Sequence, residues 1–333
     1  MRYLLERYSN YRVVNLDKLT YAGNRDNIKE LARHRRHRFV KGDICNRPLV
    51  FRLASKVDAI INFAAETHVD RSIRESAPFL RTNMEGTGVL LEAARHHRHA
   101  RYLQISTDEV YGSIATGRAD ETAPLRPSNP YAASKAGADL LALAYWATHR
   151  LPVLVSRCCN NYGPHQYPEK LIPLFITNAM MGLPLPVYGD GLHRRDWVHV
   201  LDHCRAVDLL LHHGSPGGVY NVGGGQERTN LAVAREILAR VGGSSEISHV
   251  PDRPGHDRRY AIQDEAARGL GYRPALSFGE GLAATIDWYR AKRPWWSKIR
   301  KGAFRQYYRW QYDRRARRPS AGRQGAAATR GDS

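Results

Sequence analysis

Short, nearly continuous apolar runs alternate with longer stretches of helical periodicity through the first half of the chain. Val13-Val14-Asn15-Leu16, Ala59-Ile60-Ile61-Asn62-Phe63, Tyr102-Leu103-Gln104-Ile105 and Val153-Leu154-Val155 read as strands. Their apolar positions are consecutive rather than alternate, so both faces should be covered, as in a parallel sheet between two helix layers. Helical patterns fall at about 78–98 and 130–149, the second opening with Pro130 in its first turn. This alternation predicts a doubly wound α/β sheet with right-handed crossovers, whose ligands gather outside the carboxyl ends of the strands. Beyond residue 164 the pattern loosens into Pro- and Gly-rich loops such as "LPLPVYGDGLHRRDW" and "DRPGHDRRYA", followed by a helix from Phe278 to Arg290. The expected organisation is a sheet domain over 1–164, a smaller loop-rich lobe over 165–312 with some segments returning to the sheet, and a disordered basic tail over 313–333.

Composition narrows the class. With 333 residues and 42% apolar content the chain can bury a large core. No run approaches the 18 or so apolar residues of a membrane span, and "MRYLLERYSN" lacks the apolar core of a secretory signal. The four cysteines (Cys45, Cys158, Cys159, Cys204) have no metal-ligand spacing and read as reduced thiols of a cytoplasmic protein. The net charge of +19 suggests nucleic acid until its distribution is considered. The segment 298–333 alone carries 11 Lys+Arg against 2 Asp+Glu, and "RHRRHR" at 33–38 adds a second block. No helix-turn-helix, zinc-finger or RNA-recognition signature organises these charges, so no specific nucleic-acid partner is expected. His96, His97 and His99 have no Cys or carboxylate companions and read as a solvated face rather than a metal site; no metal is expected.

Candidate chemistry stands at the strand ends. Asp17 follows the first run, where an acidic residue of a dinucleotide fold bonds the ribose hydroxyls and favours NAD. Asp43-Ile44, closing "RFVKGDI", could lie along the adenine. Tyr131-Ala132-Ala133-Ser134-Lys135 places a phenol and an ammonium at i and i+4 on one helical face, where the cation should favour phenolate. Thr107, 24 residues upstream at a strand end, can bond the same substrate hydroxyl. It opens "STDEVYG", in which Asp108 and Glu109 stand side by side. Two adjacent carboxyls repel, and burial would split their titrations into an acid and a base.

Eight segments carry a resemblance: "VVNLDKLTYAGN", "FAAETHVDRSI", "TNMEGTGVLLEAA", "ISTDEVYG", "SNPYAASKAGAD", "NNYGPHQYPEKLIP", "RRDWVHVLDH" and "DRPGHDRRYAI". Through them, from about residue 11 to 312, the chain resembles the extended short-chain dehydrogenase/reductase superfamily. Within it the resemblance is to the bacterial dTDP-glucose 4,6-dehydratases. It implies a Rossmann-like sheet, NAD as cofactor, a dTDP-sugar substrate and a homodimer. It implies hydride chemistry at Tyr131 and Lys135 and dehydration by Asp108 and Glu109. On the cofactor side it implies Asp17, Lys18, Leu19, Thr20, Asp43, Ile44, Phe63, Ala64, Ala65, Glu66, Thr67, Thr82 and Asn161. On the substrate side it implies Thr67, Asn160, Lys170, Leu171, Pro186, Val187, Tyr188, Asn230, Asp252, Arg253, Pro254, Gly255, His256 and Tyr312, with Arg195 paired to the diphosphate. The same chemistry on UDP-glucose, a related epimerase or dehydratase, and a cofactor-free binding protein are the alternatives.

One departure from the pattern is plain. Such chains open with a strand and a Gly-x-x-Gly-x-x-Gly turn that cradles the pyrophosphate, whereas here the first glycine is Gly23. "MRYLLERYSN" resembles the second half of the following helix. The expectation is a start upstream of Met1, and weak NAD retention and impaired folding by the 333 residues alone.

Overall fold

The structure, a computed structural model, describes residues 1–313; the expected basic tail from 314 onward lies outside the described residues. Five strands of the first half are β1 (Val13–Asp17), β2 (His37–Lys41), β3 (Ala59–Asn62), β4 (Arg101–Thr107) and β5 (Val153–Cys158). A four-stranded parallel sheet runs in the order Val219–Val222, β5, β4, β3. A parallel pair, β1 with β2, forms a separate sheet.

Apolar patterning explains the layers. Successive strand residues point to opposite faces, and in the central strands both faces are dry: Tyr102, Leu103, Val153, Leu154 and Val155 are all fully buried. Leu103 and Leu154 pack with Val207 and Leu210 of the helix Val200–His213 on one face. On the other, Tyr102, Val153 and Val155 meet Leu91, Ala93 and Ala142 of the helices Gly86–His96 and Pro130–His149. Burying one such side chain contributes about 1.5–3 kcal/mol.

The helix Pro130–His149 has the bounds its sequence announces. The Asn129 side chain accepts from Ala132 N at 2.9 Å, Pro130 occupies the first turn, and Arg150 ends the helix in the left-handed region. The stretch expected as one helix at 78–98 is instead a short helix Ala77–Phe79, a π-helical segment Leu80–Glu85, and the helix Gly86–His96. Asn83 in that segment receives from Glu66 N at 2.9 Å and donates to Glu66 O at 3.0 Å and Ser134 Oγ at 2.8 Å. The segment thus fixes the loop after β3 against the Pro130–His149 helix.

The later lobe has its own core, in which Phe175, Ile176, Trp197, Phe278, Tyr289 and Trp296 are buried together. Its parallel pair Leu185–Tyr188 and Ile247–Val250 carries Pro186 to Tyr188. The helix Phe278–Ala291 begins with the reciprocal cap of Ser277 and Glu280.

Arg36, inside "RHRRHR", donates to the carbonyls of Leu5 at 2.6 Å, Tyr8 and Tyr11, so it ties the first helix and the loop after it to the segment entering β2. Of the histidines at 96, 97 and 99 expected on a solvated face, His96 alone is exposed. His99 is buried between the carbonyls of Ala94 and Ala54, and His97 Nε2 lies 3.1 Å from Phe51 O. The four cysteines are free thiols. No described helix is long and apolar enough to cross a membrane.

Candidate active site

The last residue of β4 is Thr107, two positions beyond the apolar run, and there the chain turns sharply. Its Oγ1 accepts from Glu109 N at 3.3 Å and caps a single 3-10 turn, Asp108–Tyr111. Gly112 closes the turn at φ +72°, and a Cβ there would lie 2.2 Å from Arg126 O, so only glycine fits. Asp108 thereby points inward and Glu109 toward the later lobe.

The pair is split as its chemistry requires. Asp108 is 2% exposed and its Oδ2 has no hydrogen-bond partner. Burial, then the charge of Glu109, pushes its carboxyl well above the usual range, with Cys158 and Asp196 adding and Arg195 opposing. Glu109 is half-buried, accepts from Tyr260 Oη at 3.3 Å, and interacts electrostatically with the cations Lys170, Arg195 and Arg253. Asp108 and Glu109 both act on Tyr131, which brings the turn and the helix Pro130–His149 to one place.

Tyr131 and Lys135 are buried on that helix, but the cation does not act on the phenol as the spacing suggested. Burial and the charge of Glu109 push the phenol up, with a hydrogen bond to Thr107 opposing. The Lys135 ammonium donates to Ile105 O on β4, and burial lowers it to about 8 against the pull of Asp139.

Other implied residues converge on this pocket to different degrees. Lys170 Nζ donates to Thr67 O at 2.7 Å, joining the loop after β3 to the later lobe. Tyr188 bonds Asp70 Oδ2 at 3.2 Å and has its ring 6.1 Å from Tyr312 and 5.8 Å from His256. Asn160, Asn161 and Asn230 keep buried side-chain oxygens, and Arg253 a buried Nε, without partners. Such orphan groups are costly unless a ligand meets them. Arg195 differs from the expected open fork: it is buried, donates to Arg194 O at 2.7 Å and Asp257 O at 2.8 Å, and lies over Tyr260 at 4.1 Å. Val187 is buried in the lobe core and Ile44 in the sheet core, so neither side chain is free to line a pocket. Leu171 also packs on the lobe core; Gly255 takes φ +63° beside Ser128 O.

For a dinucleotide the fit is partial. Asp17 is exposed at the end of β1, its Oδ1 accepting from Leu19 N at 2.7 Å. Lys18 Nζ meets Asp43 Oδ2 at 2.7 Å, and Thr20 hydrogen-bonds Glu66. Phe63 is 57% exposed just past β3, and Thr82 is half-buried in the π-helical segment. Asn161 donates to Cys158 Sγ and Cys159 O, fixing its amide beside the ends of β4 and β5. These groups suit the ribose and nicotinamide ends.

Sequence reasoning missed Tyr260, Asp257 and His193. Tyr260 bridges Glu109 and Asp257 Oδ2 (2.9 Å), a contact spanning 151 positions that no local pattern announces. His193, Asp252 and His256 form a tight group, with Asp252 oxygens 3.2 Å from His193 Nε2 and 2.6 Å from His256 Nδ1. The two rings stack at 3.7 Å and 14°. The Asp252 carboxylate spans the two stacked rings, one oxygen on each.

Residues 1–285 match the family model described as GDP-mannose 4,6 dehydratase. A dTDP-glucose 4,6-dehydratase of Streptomyces niveus is 55% identical over 90% of this chain and 90% of its own. A low-salt glycan biosynthesis protein of Haloferax volcanii is 53% identical over 87% and 93%. The crystal structure of a dTDP-glucose 4,6-dehydratase from Streptomyces venezuelae, with NAD bound, superposes with a TM-score of 0.87 at 49% identity, covering 90% of this chain and 94% of that one. A UDP-glucose 4-epimerase from Thermus thermophilus in complex with NAD gives 0.81 at 30% identity, covering 87% and 94%.

Proposed function

We propose, since the chain belongs to the GDP-mannose 4,6-dehydratase family, that it is an NAD-dependent dTDP-glucose 4,6-dehydratase. The supporting observation is the carboxyl pair: a buried Asp108 pushed toward its protonated form beside a Glu109 facing three cations. NAD, when bound, supplies a hydride acceptor for sugar C4 and returns the hydride to C6.

The residues then divide the proton work. Tyr131, bonded to Thr107, takes the proton of the 4-hydroxyl. The resulting 4-keto group acidifies the C5 proton, which Glu109 removes. Asp108, kept neutral by burial, gives its proton to the departing 6-hydroxyl, water leaves, and Glu109 gives its proton back to C5 once hydride has reached C6. Cofactor contacts fall to Asp17, Lys18, Thr20, Phe63, Thr82 and Asn161, and contacts to the nucleotide and sugar to Lys170, Tyr188, Asn230, Arg253, His256 and Tyr312. The proposed division is a cofactor domain over 1–164 and a mainly substrate-binding lobe over 165–312 with some segments returning to the sheet, supported by the separate lobe core and by the core in which Val198, Val207, Leu210 and Val222 pack with β4 and β5. Free thiols and the absence of a described membrane helix are consistent with the cytoplasm. The helices lining residues 77–96 and 130–149 present exposed Leu80, Met84 and Leu140, a face suited to a homodimer; a monomeric sedimentation mass would reject it. The pair Asp108–Glu109 separates this reading from epimerisation, which moves no water.

Incubating the chain with dTDP-glucose and NAD should yield a 4-keto-6-deoxy sugar, read as ultraviolet absorbance in alkali. Faster turnover of UDP-glucose would reassign the nucleotide, and product from neither sugar would remove the activity.

A further inference from the structure

Behind the reactive groups lies a buried chain of polar contacts that touches no surface. Asp139 sits one helical turn past Lys135 and is fully buried. Its Oδ2 accepts from Ser106 Oγ at 2.8 Å and from Arg157 Nε at 3.1 Å. Ser106 stands between Ile105, whose carbonyl receives Lys135, and Thr107, which caps the catalytic turn. Ser106 and Arg157 are also register partners across β4 and β5.

Arg157 then reaches the other way. Its Nη1 donates to Tyr111 Oη at 2.8 Å and to Glu121 O at 3.2 Å. Tyr111 is the last residue of the turn that holds Asp108 and Glu109, and its hydroxyl donates to Asn221 Oδ1 at 2.8 Å. One planar guanidinium thus grips the helix of Tyr131 and Lys135 with one nitrogen and the carboxyl turn with another. At 0% and 3% exposure neither Asp139 nor Arg157 can meet a sugar, so any influence passes through these neighbours.

We propose that the Asp139–Arg157 pair is a positioning device that sets the oxidation half of the site against the elimination half, each half depending on a different end of it. The proposal rests on the dehydratase reading above. Burial of an isolated charge is costly, so each member offsets the other, with Ser106 held at the Asp139 end and Tyr111 at the Arg157 end. Arginine is required in place of lysine because two donors in a fixed fork span both contacts, and a point-like ammonium spans one.

The test uses the NAD-loaded enzyme in a single turnover, following reduced-cofactor absorbance for C4 oxidation and alkali absorbance for loss of water. Asp139→Asn should slow oxidation about tenfold. Arg157→Lys keeps a cation against Asp139 but releases Tyr111, so oxidation should hold while water loss slows about tenfold and reduced cofactor accumulates. Should Arg157→Lys fail to give a cooperative melt, Tyr111→Phe, which removes one hydroxyl, decides the same arm. Any pattern without that split, including equal slowing of both steps or no slowing, overturns the proposal. A wild-type enzyme that forms no keto sugar refutes the dehydratase reading instead, before any variant is made.

Discussion

β1 ends in a carboxylate and β4 is followed at once by another, and the two are treated in opposite ways. Asp17 stays exposed and spends one oxygen on Leu19 N, two residues along, where the backbone turns to φ +55°. Asp108 is driven into the protein, keeps an unpartnered oxygen, and shares its space with a second carboxyl. A carboxylate used for recognition gains from remaining hydrated and charged, because its partner is a neutral hydroxyl. One used to donate a proton near neutral pH has to be dried until it prefers its acid form. The same side chain at the same kind of strand end serves either purpose, and the following turn decides which.

Three substitutions strain this contrast, in descending order of effect. Glu109→Gln removes the base while leaving the acid, and dehydration should fall about 1,000-fold, the range of a general base, with C4 oxidation persisting as accumulated reduced cofactor. Undiminished water loss would take Glu109 out of the mechanism. Asp17→Asn should raise the KM for NAD about tenfold, the equivalent of about 1.4 kcal/mol, with a smaller change in kcat and a melting temperature near that of the wild type. A collapse of stability instead would make Asp17 structural. Asp108→Asn sharpens the burial argument through pH. A carboxyl raised by folding lends stability that is complete below the ordinary carboxylate range and is lost as pH rises through the raised value. The neutral amide escapes that loss, so the variant's melting temperature should gain on the wild type by a few degrees as pH rises above the ordinary carboxylate range. A gap independent of pH would mean that Asp108 is not kept dry.

Legibility followed the range of the contacts. The helix Pro130–His149 could be bounded from its own residues because Asn129, Pro130 and Arg150 act locally. Strands β4 and β5 were read two or more residues short, since Ser106, Thr107, Ser156 and Arg157 end an apolar pattern without ending the ladder. Their polar side chains are buried, Ser106 and Arg157 pairing with Asp139 and Thr107 capping the following turn, so polarity there does not mark the surface of the sheet. The reactive pairs were legible through local spacing. Tyr260 beneath Glu109, the Asp257 carbonyl on Arg195, and the stacked imidazoles all depend on chain segments more than 60 positions apart, and sequence offers no local signal for such meetings. The expected effect of Lys135 on Tyr131 erred for a related reason: i and i+4 share a face, but the ammonium had a closer acceptor on β4.

Gly112 has a bearing on how this enzyme can be recombined with its relatives. The turn it closes leaves no room for a methyl because Arg126 O lies against it, and Arg126 N in turn holds Val110 O at 3.0 Å. Chimaeras with a crossover between residues 112 and 126 would part a knuckle from the strap that shapes it, whereas junctions outside that interval would carry both as one cassette.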